Sequence, residues 1–269
     1  MSKRSKGKLK RWTGQQGHGA PAGGTAVRAP VHQAGLLLLV LLVVLVAVAV
    51  YLNAIPDGFV FDDKLIQRDP RIHLQTSFWT IFVTDYWYKY IGTSADLYRP
   101  LTIASYALNY AVAGLSSPAF HAVNILLHAL VCALLVVLLD ALVRDRALAV
   151  VSALLFATHP IHTEAVTGIV GRAEILTALF LLAALYLHVR GYTLWGQGRA
   201  VWLPVALLAY FCALLSKETA IVGPGLLLVV EYTGRARRGE WPFEHEGTEG
   251  KETGGVRREA GGGGRGGGS

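Results

Sequence analysis

The chain alternates between long apolar blocks and shorter polar or aromatic connections. Ala34–Leu52 is almost wholly Leu, Val and Ala. Further apolar blocks run over Phe120–Leu139, Ala147–Thr158, Ile175–Val189, Ala200–Leu215 and Ala220–Val230. Blocks of this kind predict helices that face lipid or a bundle interior, since about 20 apolar residues cross a bilayer. Arg99–Gly114 has a different pattern. Arg99, Thr102, Tyr106 and Asn109 recur at helical spacing, while Leu101, Ala104, Leu108 and Ala111 take the other face. That predicts an amphipathic helix lying in the interface rather than a spanning one.

Charge placement turns the pattern into a topology. Seven Lys or Arg residues lie between Lys3 and Arg28, ahead of the first block. If Arg99–Gly114 lies flat on the outer surface, every later basic segment falls on the side of that tail. These segments are Arg144 with Arg146, Arg190 with Arg199, and Arg235 with Arg237 and Arg238. The positive-inside rule makes that side cytoplasmic. The expectation is an all-α fold, a polytopic transmembrane helix bundle of about six spans with both termini cytoplasmic. Amphipathic juxtamembrane helices are expected in its first external loop.

Three regions follow. Residues 1–33 read as a disordered basic tail, 34–233 as the transmembrane domain and 234–269 as a disordered Gly-rich tail. The first apolar block reads as a retained span. A cleaved signal peptide is the alternative, with Ala47-Val48-Ala49 as an A-x-A site.

Composition agrees with a membrane protein. The 269 residues are 53% hydrophobic and only 16% charged, against about a quarter charged in soluble domains. The net charge of +7 is weighted to the N-terminal flank, so no nucleic-acid partner is expected. Cys132 and Cys212 lie within apolar blocks, and two cysteines make no disulfide framework.

Three segments are left outside: residues 53–118, the loop 159–174 and the turn Ser216-Lys217-Glu218. They hold most of the residues able to do chemistry. Asp62 and Asp63 follow the aromatic run Phe59-Val60-Phe61. An adjacent carboxylate pair at a membrane surface suits a general base or a cation ligand, or else a solvated turn. His159, His162 and Glu164 are residue types that bind a divalent cation, yet Pro160 interrupts the spacing and no HExxH pattern is present. Hydrogen bonding to phosphates or polar headgroups is their commoner use. Arg172 suits a phosphate, or an ion pair with Glu164 or Glu174. His121, Asn124 and His128 form one polar stripe within an apolar block, open to helix–helix bonding or a substrate role. Lys217 and Glu218 read as an ion pair or as a contact to an anionic headgroup. Trp79, Phe82, Trp87 and Tyr90 read as an aromatic belt, with stacking on a sugar as the alternative.

Taken in order, the motifs resemble a known family. They are Phe59-Val60-Phe61-Asp62-Asp63, Asp85-Tyr86-Trp87, Leu97-Tyr98-Arg99-Pro100-Leu101-Thr102 and Phe120-His121-Ala122-Val123-Asn124. They continue with His159-Pro160-Ile161-His162-Thr163-Glu164, Val170-Gly171-Arg172-Ala173-Glu174 and Ser216-Lys217-Glu218-Thr219. Over residues 36–232 they resemble the N-terminal membrane half of the transmembrane-and-tetratricopeptide-repeat proteins. These are GT-C superfamily glycosyltransferases similar to protein O-mannosyltransferases.

The resemblance implies transfer of a sugar, mannose above all, from a polyprenyl- or dolichyl-phosphate donor to Ser or Thr hydroxyls of translocated proteins. It implies Asp62 as base with Asp63 supporting, and Glu164 or Glu174 as the second acidic position. Arg172, His159, His162 and Lys217 become donor-phosphate contacts, with Arg99, His128 and Glu218 completing the substrate-binding set. No metal ligand and no obligatory cofactor is implied, a divalent cation being the one candidate. The implied partners are a lipid-linked sugar donor, an acceptor protein and the lipid bilayer. The spelling of Leu97–Thr102 points to a bacterial plasma membrane, with the endoplasmic reticulum membrane as the alternative. The family's further spans and repeats have no counterpart after Tyr232, so a truncated member is expected. An inactive membrane scaffold fragment and a transporter-like protein are the alternatives.

Overall fold

The computed structural model describes residues 30–88, 97–193 and 199–238. The two tails read from the sequence, apart from residues 30–33 and 234–238, lie outside the described residues, as does Tyr90. Ten α-helices are present among the described residues and no strand. They are α1 (Pro30–Tyr51), α2 (Lys64–Arg68), α3 (Thr80–Val83), α4 (Pro100–Ala113) and α5 (Ser117–Val143). After these come α6 (Arg146–Thr158), α7 (Thr163–Thr167), α8 (Arg172–Thr193), α9 (Arg199–Ser216) and α10 (Gly223–Arg238). The six apolar blocks thus fall on α1, α5, α6, α8, α9 and α10. Three segments are long and apolar enough to cross a membrane: Gly35–Ala54, Ser117–Val143 and Ile169–Gly191. Arg146–Thr158 and Val201–Ser216 are apolar but shorter.

Small side chains let the long helices approach. Ala47, Ala129, Ala153 and Ala157 are buried between α1, α5 and α6, together with Val43, Val136 and Cys132. In lipid, where no hydrophobic force drives helices together, such close contact supplies the packing energy. Outward faces stay apolar, as at Leu37, Leu38, Leu126, Leu207 and Leu208, which is the surface a bilayer solvates.

The six helices alternate in direction. At one end Asp140 meets Arg146 at 3.6 Å and His188 meets Glu231 at 3.4 Å. At the other, Ser117 Oγ donates to Asp57 O at 2.6 Å and Thr102 Oγ1 to Ser216 O at 2.8 Å. The described residues of the three segments expected outside are found at this second end.

The first of them is more than a string of surface helices. Leu65, Ile66, Ile72 and Ile81 are fully buried with Tyr106, Phe120 and Ile169, forming a second core on top of the bundle. Each such Ile contributes about 1.5–3 kcal/mol by burial from water. Its hub is Arg71, whose side chain is wholly buried against Asp69. Arg71 also donates to Thr84 Oγ1 at 2.8 Å, Asp85 O at 2.6 Å and Tyr86 O at 2.9 Å. One cation therefore ties down the whole stretch from 69 to 86.

Helix α4 lies over this end with its polar stripe turned inward. Thr102, Tyr106 and Asn109 are buried, whereas Leu108 and Val112 are 68% and 82% exposed. The orientation follows from what lies beneath: a buried arginine on α8 needs acceptors, and α4 carries them.

Candidate active site

That arginine is Arg172. It has no exposed surface. Its Nε donates to Asn124 Oδ1 at 2.7 Å, Nη1 to Ser105 O at 3.2 Å, and Nη2 to Asn109 Oδ1 at 2.9 Å and Phe120 O at 3.0 Å. The guanidinium also sits 4.8 Å from the centre of the Tyr106 ring. Every nitrogen is engaged, so Arg172 joins α4, α5 and α8, where the sequence had offered a phosphate contact or an ion pair with Glu164 or Glu174. Asn124 likewise gives its amide hydrogens to Gly168 O and Ile169 O. The polar stripe on α5 is used for packing at this position.

Asp62 and Asp63 share a 3-10 turn, Phe61–Asp63, but not an environment. Asp63 is 1% exposed. Its Oδ1 accepts the Val170 amide at 2.9 Å and its Oδ2 the Val60 amide at 3.2 Å. Burial pushes its carboxyl above the usual range, and those amides with nearby His121 oppose the shift. Asp62 is exposed and lines a cleft of about 500 Å³. The turn opens with Phe61 at φ 45°, a left-handed conformation that costs a residue with a Cβ about 1–2 kcal/mol.

The opposite wall comes from the loop between α6 and α8. Glu164, Gly168, Val170, Gly171 and Glu174 line the same cleft. A Cβ at Gly168 would stand 2.8 Å from Glu164 O, and one at Gly171 2.3 Å from Ala165 O. Glycine is what lets this loop fold so tightly beside Asp63. His159 is exposed and its Nδ1 accepts the Ile161 amide at 3.2 Å. The His162 ring lies 4.1 Å from Phe156, and burial pulls its pKa down, with His159 adding to the effect. Neither histidine lines the cleft. His128 is buried behind them, its ring 5.2 Å from Tyr51 and 5.9 Å from Phe156, so it too stands apart from the cleft. Among the described residues no group of three or more His, Cys, Asp or Glu side chains converges as a metal site would require.

Two ion pairs close the rim. Arg99 grips Glu218 with Nε to Oε2 at 2.9 Å and Nη2 to Oε1 at 2.5 Å, and this grip holds the Glu218 carboxyl below its usual range. Lys217 Nζ donates to Glu174 Oε1. Arg99 also lies over the ring of Tyr86, 5.0 Å from its centre. Tyr86 and Trp87, marked in the sequence by the Asp85-Tyr86-Trp87 motif and Trp87 also as belt or stacking ring, both line the cleft. Ser105 and Arg71 carry no local signature, and Asn109 was marked only within the polar stripe of α4.

The cleft therefore offers exposed carboxylates at Asp62 and Glu164 and the cation Arg99, with a second cation, Lys217, held on its lining residue Glu174. It can take a proton at one place and meet negative charge at another. Fold and site together define a helical integral membrane protein with a polar cleft at one end of its bundle.

Sequence comparison finds relatives among the protein O-mannosyl-transferases. The chain is 38% identical to human protein O-mannosyl-transferase TMTC3 over 195 residues, covering 71% of the chain and 21% of that relative. It is 39% identical to mouse TMTC1 over 193 residues, 67% of the chain and 20% of the relative. Human TMTC2 is 37% identical over 183 residues, 64% of the chain and 21% of the relative. The chain is thus a homologue of the protein O-mannosyl-transferases, and it spans about a fifth of the length of the curated relatives it matches. No family model matches the chain, and no solved structure does.

Proposed function

We propose that this chain forms the sugar-transferring membrane part of a protein O-mannosyltransferase, using mannose carried on a polyprenyl phosphate. The observation behind this reading is one cleft with an exposed carboxylate, Asp62, on its wall and two cations beside it, Arg99 and, through Glu174, Lys217. Asp62 takes the proton of a Ser or Thr hydroxyl. The oxygen attacks the anomeric carbon as the bond from that carbon to the phosphate oxygen breaks. The electron pair leaves with the polyprenyl phosphate, whose charge Arg99 and Lys217 meet. Glu164 and Glu174 remain as carboxylates for hydrogen bonding to the sugar or acceptor. Asp63, buried and bonded to two amides, positions its neighbour. A site at one end of a membrane bundle suits a donor whose lipid tail stays in the bilayer. That end is the non-cytoplasmic one, with six helices crossing and the basic ends inside.

The test is transfer of labelled mannose from polyprenyl-phosphate mannose to a Ser/Thr peptide by membranes holding the chain. Transfer by the wild type that falls by two orders of magnitude or more in Asp62→Asn supports the reading. Equal transfer by Asp62→Asn removes Asp62 as base, and no transfer by the wild type refutes activity in this chain.

A further inference from the structure

Phe61 combines two features that folding alone does not favour. It is 89% exposed, and its φ of 45° lies where a side chain bearing a Cβ is strained. Its neighbour Phe59 packs edge to face on Phe120, 5.8 Å between ring centres. Phe61 joins none of the buried apolar clusters among the described residues. It lines the cleft instead, beside the carboxylate of Asp62. Strain concentrated next to a cleft points to a role in binding.

The rest of the cleft indicates what is bound. Tyr86 and Trp87 line it too, their rings meeting edge to face at 5.1 Å. Asp62 and Glu164 line the same cleft and supply acceptors. A hexopyranose has C–H faces that pack on aromatic rings and a rim of hydroxyls that donate to carboxylates. A cleft of about 500 Å³ is of the size that encloses a small ligand. A bare phosphate would use the cations and leave the exposed ring of Phe61 without a role.

We propose that Phe61 and Trp87, backed by the buried ring of Tyr86, form a stacking subsite for the pyranose ring of the donor, with Phe61 as its specificity-determining outer wall. The proposal rests on the sugar-transfer reading, and its test separates the two. Wild type, Phe61→Leu and Phe61→Gly of the full chain in nanodiscs are titrated with mannose 1-phosphate and with inorganic phosphate, followed by isothermal titration calorimetry. The wild type should prefer mannose 1-phosphate. Phe61→Leu should lose about tenfold for it, the scale of one aromatic contact, with inorganic phosphate unchanged. Phe61→Gly should lose as much while unfolding at the same or a higher temperature, because glycine relieves the strained φ. A purely structural residue would move stability and binding together.

Full binding by Phe61→Leu, equal wild-type affinity for both probes, or equal loss of both probes in a variant would each overturn the subsite. Phe61-dependent binding of mannose 1-phosphate without any mannosyl transfer keeps the subsite and removes the transferase reading. Transfer with an unchanged KM for donor in Phe61→Leu does the reverse.

Discussion

Asp63 Oδ1 accepts the amide of Val170 at 2.9 Å across 107 positions of sequence, and so clasps the two walls of the cleft together. Asn at this position offers one acceptor where two amides need one each. Asp63→Asn should therefore cost about 1–3 kcal/mol at neutral pH. The pH dependence has a definite sign. Burial raises the folded-state pKa of Asp63 above its unfolded value. Its contribution to stability is then full below the ordinary Asp value near 3.9 and is lost as pH rises through the folded value. The unfolding temperature of the wild type minus that of Asp63→Asn should grow as pH is lowered from 7 toward 4. A flat or opposite slope would show that Asp63 stays ionised throughout.

Arg172→Ala leaves Asn124 and Asn109 acceptors and two carbonyls without their donor in a buried place. The loss should reach several kcal/mol, roughly 1–3 kcal/mol for each acceptor left unsatisfied before the site relaxes. Arg172→Lys should recover little, since an ammonium cannot reproduce the fork. Thermal unfolding in detergent decides this. A variant that unfolds like the wild type yet loses donor binding would restore Arg172 as a phosphate contact.

Gly171→Ala places a Cβ against a backbone oxygen, at 2.3 Å from Ala165 O. No side chain can swing away to relieve that contact. The loop must shift, and Glu164 and Glu174 move with it. We expect a stability loss of roughly 1–3 kcal/mol and a fall in transfer exceeding what the lower stability explains. Both are read by comparing activity with unfolding on one preparation.

Apolar length and charge asymmetry were enough to read the helices, their alternation and the gathering of Asp62, Glu164, Glu174, Arg99, Lys217 and Glu218 at one end. These features are written locally. What stayed hidden depends on partners far along the chain. Nothing near Arg172 shows that Asn124, Asn109 and Ser105 will surround it. Nothing in the α4 stripe says that its polar side faces protein instead of water. The Asp69–Arg71 pair looks like an exposed charge pair until Thr84, Asp85 and Tyr86 fold over it. His128, His159 and His162 are polar in composition, but aromatic packing and backbone bonding take them away from the cleft.

Topology yields a prediction that does not involve chemistry. Single cysteines near Arg144 and near Gly168, in a chain with Cys132 and Cys212 replaced by Ser, should react with an impermeant maleimide from opposite faces of sealed membranes. The basic turn at Arg144 and Arg146 should label from the cytoplasmic side. Labelling of both positions from one side would break the six-crossing reading.

Glu218 occupies Arg99 with both oxygens, the geometry a phosphate would want. A donor phosphate must therefore displace it. The pair is half-exposed on the Glu218 side, with 52% of that side chain accessible, so it is worth at most about 1 kcal/mol. Glu218→Gln should accordingly lower the KM for polyprenyl-phosphate mannose by up to about fivefold, with little change in kcat. Arg99→Gln should raise KM. The Arg99 guanidinium depresses the Glu218 pKa, so the ion pair persists above the ordinary Glu value and is lost as pH falls through the depressed one. The advantage of Glu218→Gln should shrink over that acid window, where the wild type also frees Arg99. An unchanged or higher KM in Glu218→Gln would mean that Glu218 holds Arg99 in place for the donor instead of competing with it.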